Sequence, residues 1–145
     1  MKLHHLLFGV LSALALTTTV YASEKDEAVA QVSAAAKAVS ADRAAGLKAI
    51  QEGKFTKGDV YAFAYALSGE MLAHPKNPRL VGKNMLDQPD AEGKLFRKEL
   101  IEKAKAGRKD WTDYVYMNPE TKAMEQKTTY CEKAGDVVVC AGVYR

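Results

Sequence analysis

Histidine, cysteine and tryptophan are scarce in this chain, with three, two and one among 145 residues. His4 and His5 fall in the first 22 residues, which leaves His74 alone in the remainder. One imidazole does not build a multi-histidine metal site, and no CxxCH is present for haem attachment. No cofactor and no metal are therefore expected. A Ser-His-Asp arrangement would have to pair His74 with Ser23, Ser33, Ser40 or Ser68, and none of these lies in a nucleophile-elbow context. Carboxylates are plentiful, but they sit on helical segments where a solvated face explains them. A small hydrolase is thus the weakest reading, and no catalytic residue is assigned. Charge of one sign is lacking too, with 21 Lys and Arg against 18 Asp and Glu, which argues against nucleic acid as a partner. Nor is there an apolar run approaching the roughly 20 residues of a transmembrane helix, and no internal repeat or low-complexity tail.

The longest apolar run, Leu6 to Leu16, follows the single positive charge of Lys2 and leads to Val20-Tyr21-Ala22. This is the pattern of a cleavable signal peptide over residues 1–22, with cleavage after Ala22. An uncleaved anchor is the alternative. Cleavage would remove Lys2 and no acid, leaving 123 residues with a formal charge of +2, enough for one domain with one core. The expected location is the periplasm or the exterior, with no membrane span after cleavage.

Ser23 and Asp26 have capping-box spacing, and the Ala-rich segment beyond carries Val29, Val32, Ala36, Val39, Leu47 and Ile50 at helical steps. One long helix over 23–52, ended by Gly53, is predicted, with 53–145 as the body of the domain. From Asp59 the period becomes two. Tyr61, Phe63, Tyr65 and Leu67 form a bulky face, and Ala62, Ala64 and Ala66 a thin one, so this is a strand. Ser68-Gly69 reads as a turn, Glu70 to Ala73 as a return strand, Pro75 to Pro89 as a long loop, and Asp90 as the cap of a helix running to Ala106. Three strands follow: Trp111 to Met117, Met124 to Glu132 and Val137 to Tyr144. The expected fold is α+β, a five-stranded antiparallel sheet with a long N-terminal helix and a helix-containing loop insertion, the helices on one side.

A turn centred on Gly135 and Asp136 places Cys131 and Cys140 opposite each other at a non-hydrogen-bonded pair, within disulfide reach. The strands also gather Tyr61, Trp111, Tyr116, Tyr130, His74 and Lys127, the candidate ligand-binding set. A desolvated ammonium with several Tyr hydroxyls suits a small anion such as a carboxylate. Phe63, Tyr65 and Tyr114 are expected in the core. His74 before Pro75 has a competing role in turn chemistry, and Lys127 shares a strand face with Glu125 and Thr129, inward or outward. Arg79 and Lys83 are expected to be exposed loop charges.

Taken in order, Leu72-Ala73-His74-Pro75, Leu80-Val81-Gly82-Lys83-Asn84, Trp111 with Tyr114 and Tyr116, Asn118-Pro119, Lys127, Tyr130 and Gly142-Val143-Tyr144 resemble the single Cache domain. That family is the extracytoplasmic PAS-like sensor module of bacterial chemoreceptors and histidine kinases. The resemblance runs from about Ile50 to Tyr144, and the preceding long helix fits it as well. It implies a PAS-like fold and recognition of a small molecule without transforming it. Two features depart from the family pattern: the short aliphatic turn Gly135-Asp136-Val137-Val138 with its cysteine pair, and the end of the chain at Arg145, where receptors continue into a membrane span. A partner membrane receptor or sensor kinase would then read the liganded form. A structural or assembly factor whose pocket is filled by side chains remains the alternative, acting through a protein partner.

Overall fold

The computed structural model describes residues 13–145. Lys2 and the first part of the apolar run lie outside the described residues. Helix α1 spans Ala13–Ala41 and α2 spans Arg43–Gln51. The expected start at Ser23 is therefore corrected: Ser23 and Asp26 lie inside α1, whose alanine-rich flanks carry the helix across them. The single helix to Gly53 is corrected as well. Asp42 leaves helical geometry (φ −152°, ψ 109°) and its carboxylate accepts from the Ala45 amide at 3.0 Å, capping a new helix. The fold-back brings Gly46 against the backbone of Ala38 and Val39, so closely that any Cβ would overlap Val39.

The strands are β1 (Thr56–Lys57), β2 (Val60–Ala66), β3 (Met71–Ala73), β4 (Trp111–Met117), β5 (Met124–Ala134) and β6 (Val137–Tyr144). The main path through the sheet runs β1-β2-β6-β5-β4, every pairing is antiparallel, and β3 adds to β2. The short β1 accounts for the sixth strand. The β5–β6 hairpin turns at Gly135 (φ 62°), where a primed two-residue turn demands a left-handed residue. Its register sets Cys131 opposite Cys140, and the expected disulfide is formed.

Both faces of β2 are buried, and that decides the layering. The thin face, Ala62 and Ala64, receives the narrow stripe of α1, Ala28, Val32, Ala35, Ala36 and Val39, together with Val137, Val139 and Ala141 of β6. The bulky face, Tyr61, Phe63 and Tyr65, packs with Phe96, Leu100, Ile101 and Ala104 of helix α3 (Phe96–Lys105). Helices thus cover both sides of the sheet, a correction to the one-sided arrangement: a strand apolar on both faces has to be covered twice.

Helix α3 begins six residues later than Asp90. The Asp90 carboxylate instead accepts from the amides of Glu92, Lys94 and Val115 at 2.8–2.9 Å. It ties the loop to edge strand β4 instead of capping a helix. The loop after β3 includes a 3₁₀ turn, Pro78–Leu80, and is pinned by two backbone bonds at 2.9 Å, Met71 to Lys83 and Gly82 to Met71. The outer edge of β4 is blocked further by Lys94 and Lys103, which donate to the Asp113 and Trp111 carbonyls at 2.6 and 2.8 Å. This denies another strand a pairing edge.

Candidate functional site

The α3 side of the sheet carries the chemistry. Strand alternation brings Tyr61 and Phe63 of β2, Tyr144 of β6, Lys127 of β5 and Tyr116 of β4 to this face. Gly142, beside Lys127 on β6, makes the arrangement feasible, because a Cβ there would overlap Lys127 Cε and Thr129 Oγ1.

Lys127 is 1 % exposed. Its Nζ donates to the Tyr61 hydroxyl at 3.1 Å and lies 4.7, 4.8, 5.1 and 5.3 Å from the ring centroids of Tyr61, Tyr144, Phe63 and Tyr116. Burial lowers its pKa to about 7. His74 follows β3. The Gln51 side chain at the end of α2 holds it at both backbone groups, accepting from the His74 amide at 3.0 Å and donating to its carbonyl at 3.1 Å. The His74 Nδ1 accepts from the Asn77 amide at 3.0 Å, so the neutral ring carries its proton on Nε2. The ring stacks over Phe63 at 5.6 Å and lies 5.3 Å from Tyr61. Burial, reinforced by the nearby Lys127 charge, lowers its pKa to about 3.

Arg97 is a buried cation beside the candidate site that reading the sequence missed. It lies in the first turn of α3 and is 6 % exposed. Its guanidinium sits 4.3 Å from the Phe96 ring, Nη1 donates to the Gln88 carbonyl at 3.4 Å, and Nε has no hydrogen-bond partner. Its charge acts on Tyr65, whose pKa burial nevertheless raises well above the ordinary tyrosine value. Helical spacing carried the signal: Arg97 belongs with Leu100, Ile101 and Ala104 on the buried face. The buried charged and basic side chains among the described residues are Lys127, Arg97 and His74, with no carboxylate.

A cavity of about 280 Å³ opens above this floor, lined by Tyr61, His74, Lys76, Asn77, Tyr116, Met117, Pro119 and Lys122. Lys127 is not among the lining residues, but its Nζ lies 4.7 and 5.3 Å from the rings of Tyr61 and Tyr116, which are. Another hollow of about 290 Å³, whose walls include Arg97, Phe96 and Met124, shares Tyr116 and Met117 with the first. Tyr116 therefore stands between the two.

Of the six expected site residues, Tyr61, His74, Tyr116 and Lys127 are brought together here. Trp111 and Tyr130 are not, which corrects their grouping with the others. They pack with tilted rings, centroids 5.6 Å apart, on the opposite face, under α1, where Lys25 Nζ sits 4.3 Å from the Trp111 ring. The reason is parity: Trp111 is an odd number of residues from Tyr116, and Tyr130 from Lys127, so pleating sends them to opposite faces. Phe63, Tyr65 and Tyr114 are in the core as expected, and the Tyr114 hydroxyl bonds Thr129 Oγ1 at 2.8 Å. Arg79 and Lys83 are exposed, and the cations at the cavity rim are Lys76 and Lys122.

An antiparallel sheet with a long helix on one face and, on the other, a helix-bearing loop over an aromatic and cationic cavity is the build of a PAS-like sensor domain. The chain belongs to the Single Cache domain 2 family, whose family model matches residues 15–145. Among curated proteins none is significantly similar to it. Among solved structures it is similar to a methyl-accepting chemotaxis protein from Vibrio parahaemolyticus RIMD 2210633, with TM-score 0.75 at 22 % identity over 90 % of this chain and 95 % of that one. A periplasmic sensor domain of a chemotaxis protein gives TM-score 0.67 at 23 % identity, covering 92 % and 99 %. A Cache chemosensory domain described for carboxylic acid recognition gives 0.70 at 21 %, covering 88 % and 97 %. At these identities the likeness is one of fold.

Proposed function

We propose that the chain is an exported sensor-type binding protein, released by cleavage after Ala22 into the periplasm, that recognises a small organic acid without transforming it. The observation that carries this reading is the pair of buried cations, Lys127 against the Tyr61 and Tyr116 rings that line one cavity and Arg97 in the wall of the adjoining hollow, with no buried carboxylate among the described residues to neutralise them. An uncompensated buried charge is costly, and an anionic ligand would supply the missing partner. A carboxylate that reached Lys127 Nζ would accept a charge-assisted bond from it, with the Tyr61 hydroxyl beside it, while the orphaned Arg97 Nε offers a second cation at the adjoining hollow. The carboxylic acid recognition described for one structural neighbour supports the ligand class. A partner receptor or sensor kinase would read the liganded form; among the described residues no helix is long and apolar enough to cross a membrane.

A thermal-shift screen of the purified protein against acetate, lactate, succinate, amino acids and polyamines tests this. A ligand that binds only the native state raises the midpoint by mass action. The expected result is a rise with a carboxylate that disappears in Arg97→Ala and in Lys127→Met. A second reading rests on the Lys127–Tyr61 bond, which seals the ammonium from solvent at 1 % exposure: the pocket is filled, and the protein is an assembly factor working through a protein partner. A flat response to every acid would favour that reading.

A further inference from the structure

Lys127 has one hydrogen-bonding partner, the Tyr61 hydroxyl, and no ion pair among the described residues. An ammonium has three donors to satisfy. From β2, β4 and β6 it meets the rings of Tyr61, Phe63, Tyr116 and Tyr144, and burial keeps the Tyr61 and Tyr144 hydroxyls protonated by raising their pKa. After β3 comes His74, neutral and with Nδ1 already occupied. From α3 comes Arg97, a like charge. Its own strand offers Glu125 on the same face, but Asn118 and Thr121 hold both Glu125 oxygens at 2.8 and 2.6 Å. No packed element supplies Lys127 with a free anion.

Resting on the reading of this cavity as an organic-acid site, we propose that the site takes up an organic anion and a proton together, the proton residing on Lys127. The proton comes from solvent and adds to the Nζ lone pair of the resting amine. The arriving carboxylate supplies the opposite charge that holds it there, and no covalent bond of the ligand changes. His74 is excluded as the acceptor, because protonating Nδ1 would break its bond from the Asn77 amide. Burial independently favours the amine, with the Lys127 pKa at about 7. By linkage the anion then binds tightest in acid medium. The protein would respond to the anion and the proton jointly, as a reader of acid stress would.

Isothermal titration calorimetry on the purified protein, with acetate and lactate as titrants in buffers of widely different ionisation enthalpy, counts the protons directly. The expected count is about 0.9 proton per anion at pH 8 and about 0.1 at pH 6, with affinity falling about tenfold per pH unit above 7. Lys127→Arg, a permanent cation, should bind without proton uptake and without this pH dependence. Anion binding at pH 8 with no proton taken up overturns the coupling and leaves the acid-binding reading standing, as does a full proton still taken up by Lys127→Arg. Absence of any anion binding overturns both. If Lys127→Arg fails to fold, the wild-type proton count decides alone.

Discussion

Replacing Lys127 by Met should make the ligand-free protein more stable, and by an amount that depends on pH in a stated direction. Met preserves most of the side-chain volume and keeps contact with the rings of Tyr61, Phe63, Tyr116 and Tyr144, while removing a charge that among the described residues has one hydrogen bond and no ion pair. In the folded protein burial holds the Lys127 pKa at about 7, against its ordinary value of 10.5. Between these values the unfolded chain holds a proton that the folded one does not, so wild-type stability rises with pH across the window. Below pH 7 both states are charged, and the folded state carries the whole penalty, about 5 kcal/mol at 1.36 kcal/mol per pH unit. By pH 9 about two units have been recovered, so the advantage of Lys127→Met over wild type should be about 3 kcal/mol smaller at pH 9 than at pH 6. Urea unfolding of both proteins at the two pH values, analysed by linear extrapolation, measures the double difference and cancels the titration of every other group. Equal destabilisation by Lys127→Met at both pH values would refute the assignment of an uncompensated ammonium. It would show instead that the lysine is held by favourable contacts within the folded chain.

His74 has the same sign at lower pH. Its folded pKa of about 3 lies below its ordinary value, so stability is full above pH 6.5 and is lost as the pH falls toward 3. Between pH 7 and 4 the wild type should lose about 3 kcal/mol more than His74→Gln, measured by urea unfolding. Gly142→Ala introduces a methyl that meets Lys127 Cε and Thr129 Oγ1. It should lower stability by about 1–3 kcal/mol through overpacking and abolish any carboxylate-induced thermal shift. Replacing Cys131 and Cys140 together by Ala opens a loop of separation 9, which by chain entropy should cost about 2.5 kcal/mol, seen as a lower urea midpoint.

Local information was enough where a rule acts over a few residues. The bulky and thin faces of β2 follow from the alternation of Tyr61, Phe63 and Tyr65 with Ala62, Ala64 and Ala66. The disulfide follows from the register that a two-residue turn at Gly135 and Asp136 imposes on the hairpin. The same alternation also separates Trp111 from Tyr116 and Tyr130 from Lys127, so the division of the aromatics between two faces was readable in the spacing. Asp42 was readable as well. An Asp three residues before an amide it can accept from, with Gly46 one residue further, marks a helix start inside an alanine-rich run.

Other features depend on contacts between distant segments. Asp90 has the chemistry of a helix cap, yet it accepts from Val115, 25 residues away, because the β4 edge lies within reach and offers an unpaired amide. Lys127 sits among Gln126, Thr128 and Thr129, a stretch whose polarity does not distinguish an inner face from an outer one. The absence of a side chain at Gly142 on the neighbouring strand, and the four aromatic rings around it, decide that it points inward. Arg97 joins the site because α3 lies on the bulky side of the sheet, which is settled when α1 takes the thin side. Sequence by itself thus determined the five longer strands and the hairpin register, since these rest on periodicity and turn chemistry, and its ordered motifs carried the resemblance to the family. Tertiary structure alone decided which charges are buried without a partner, because burial is set by what the rest of the chain places on top of them.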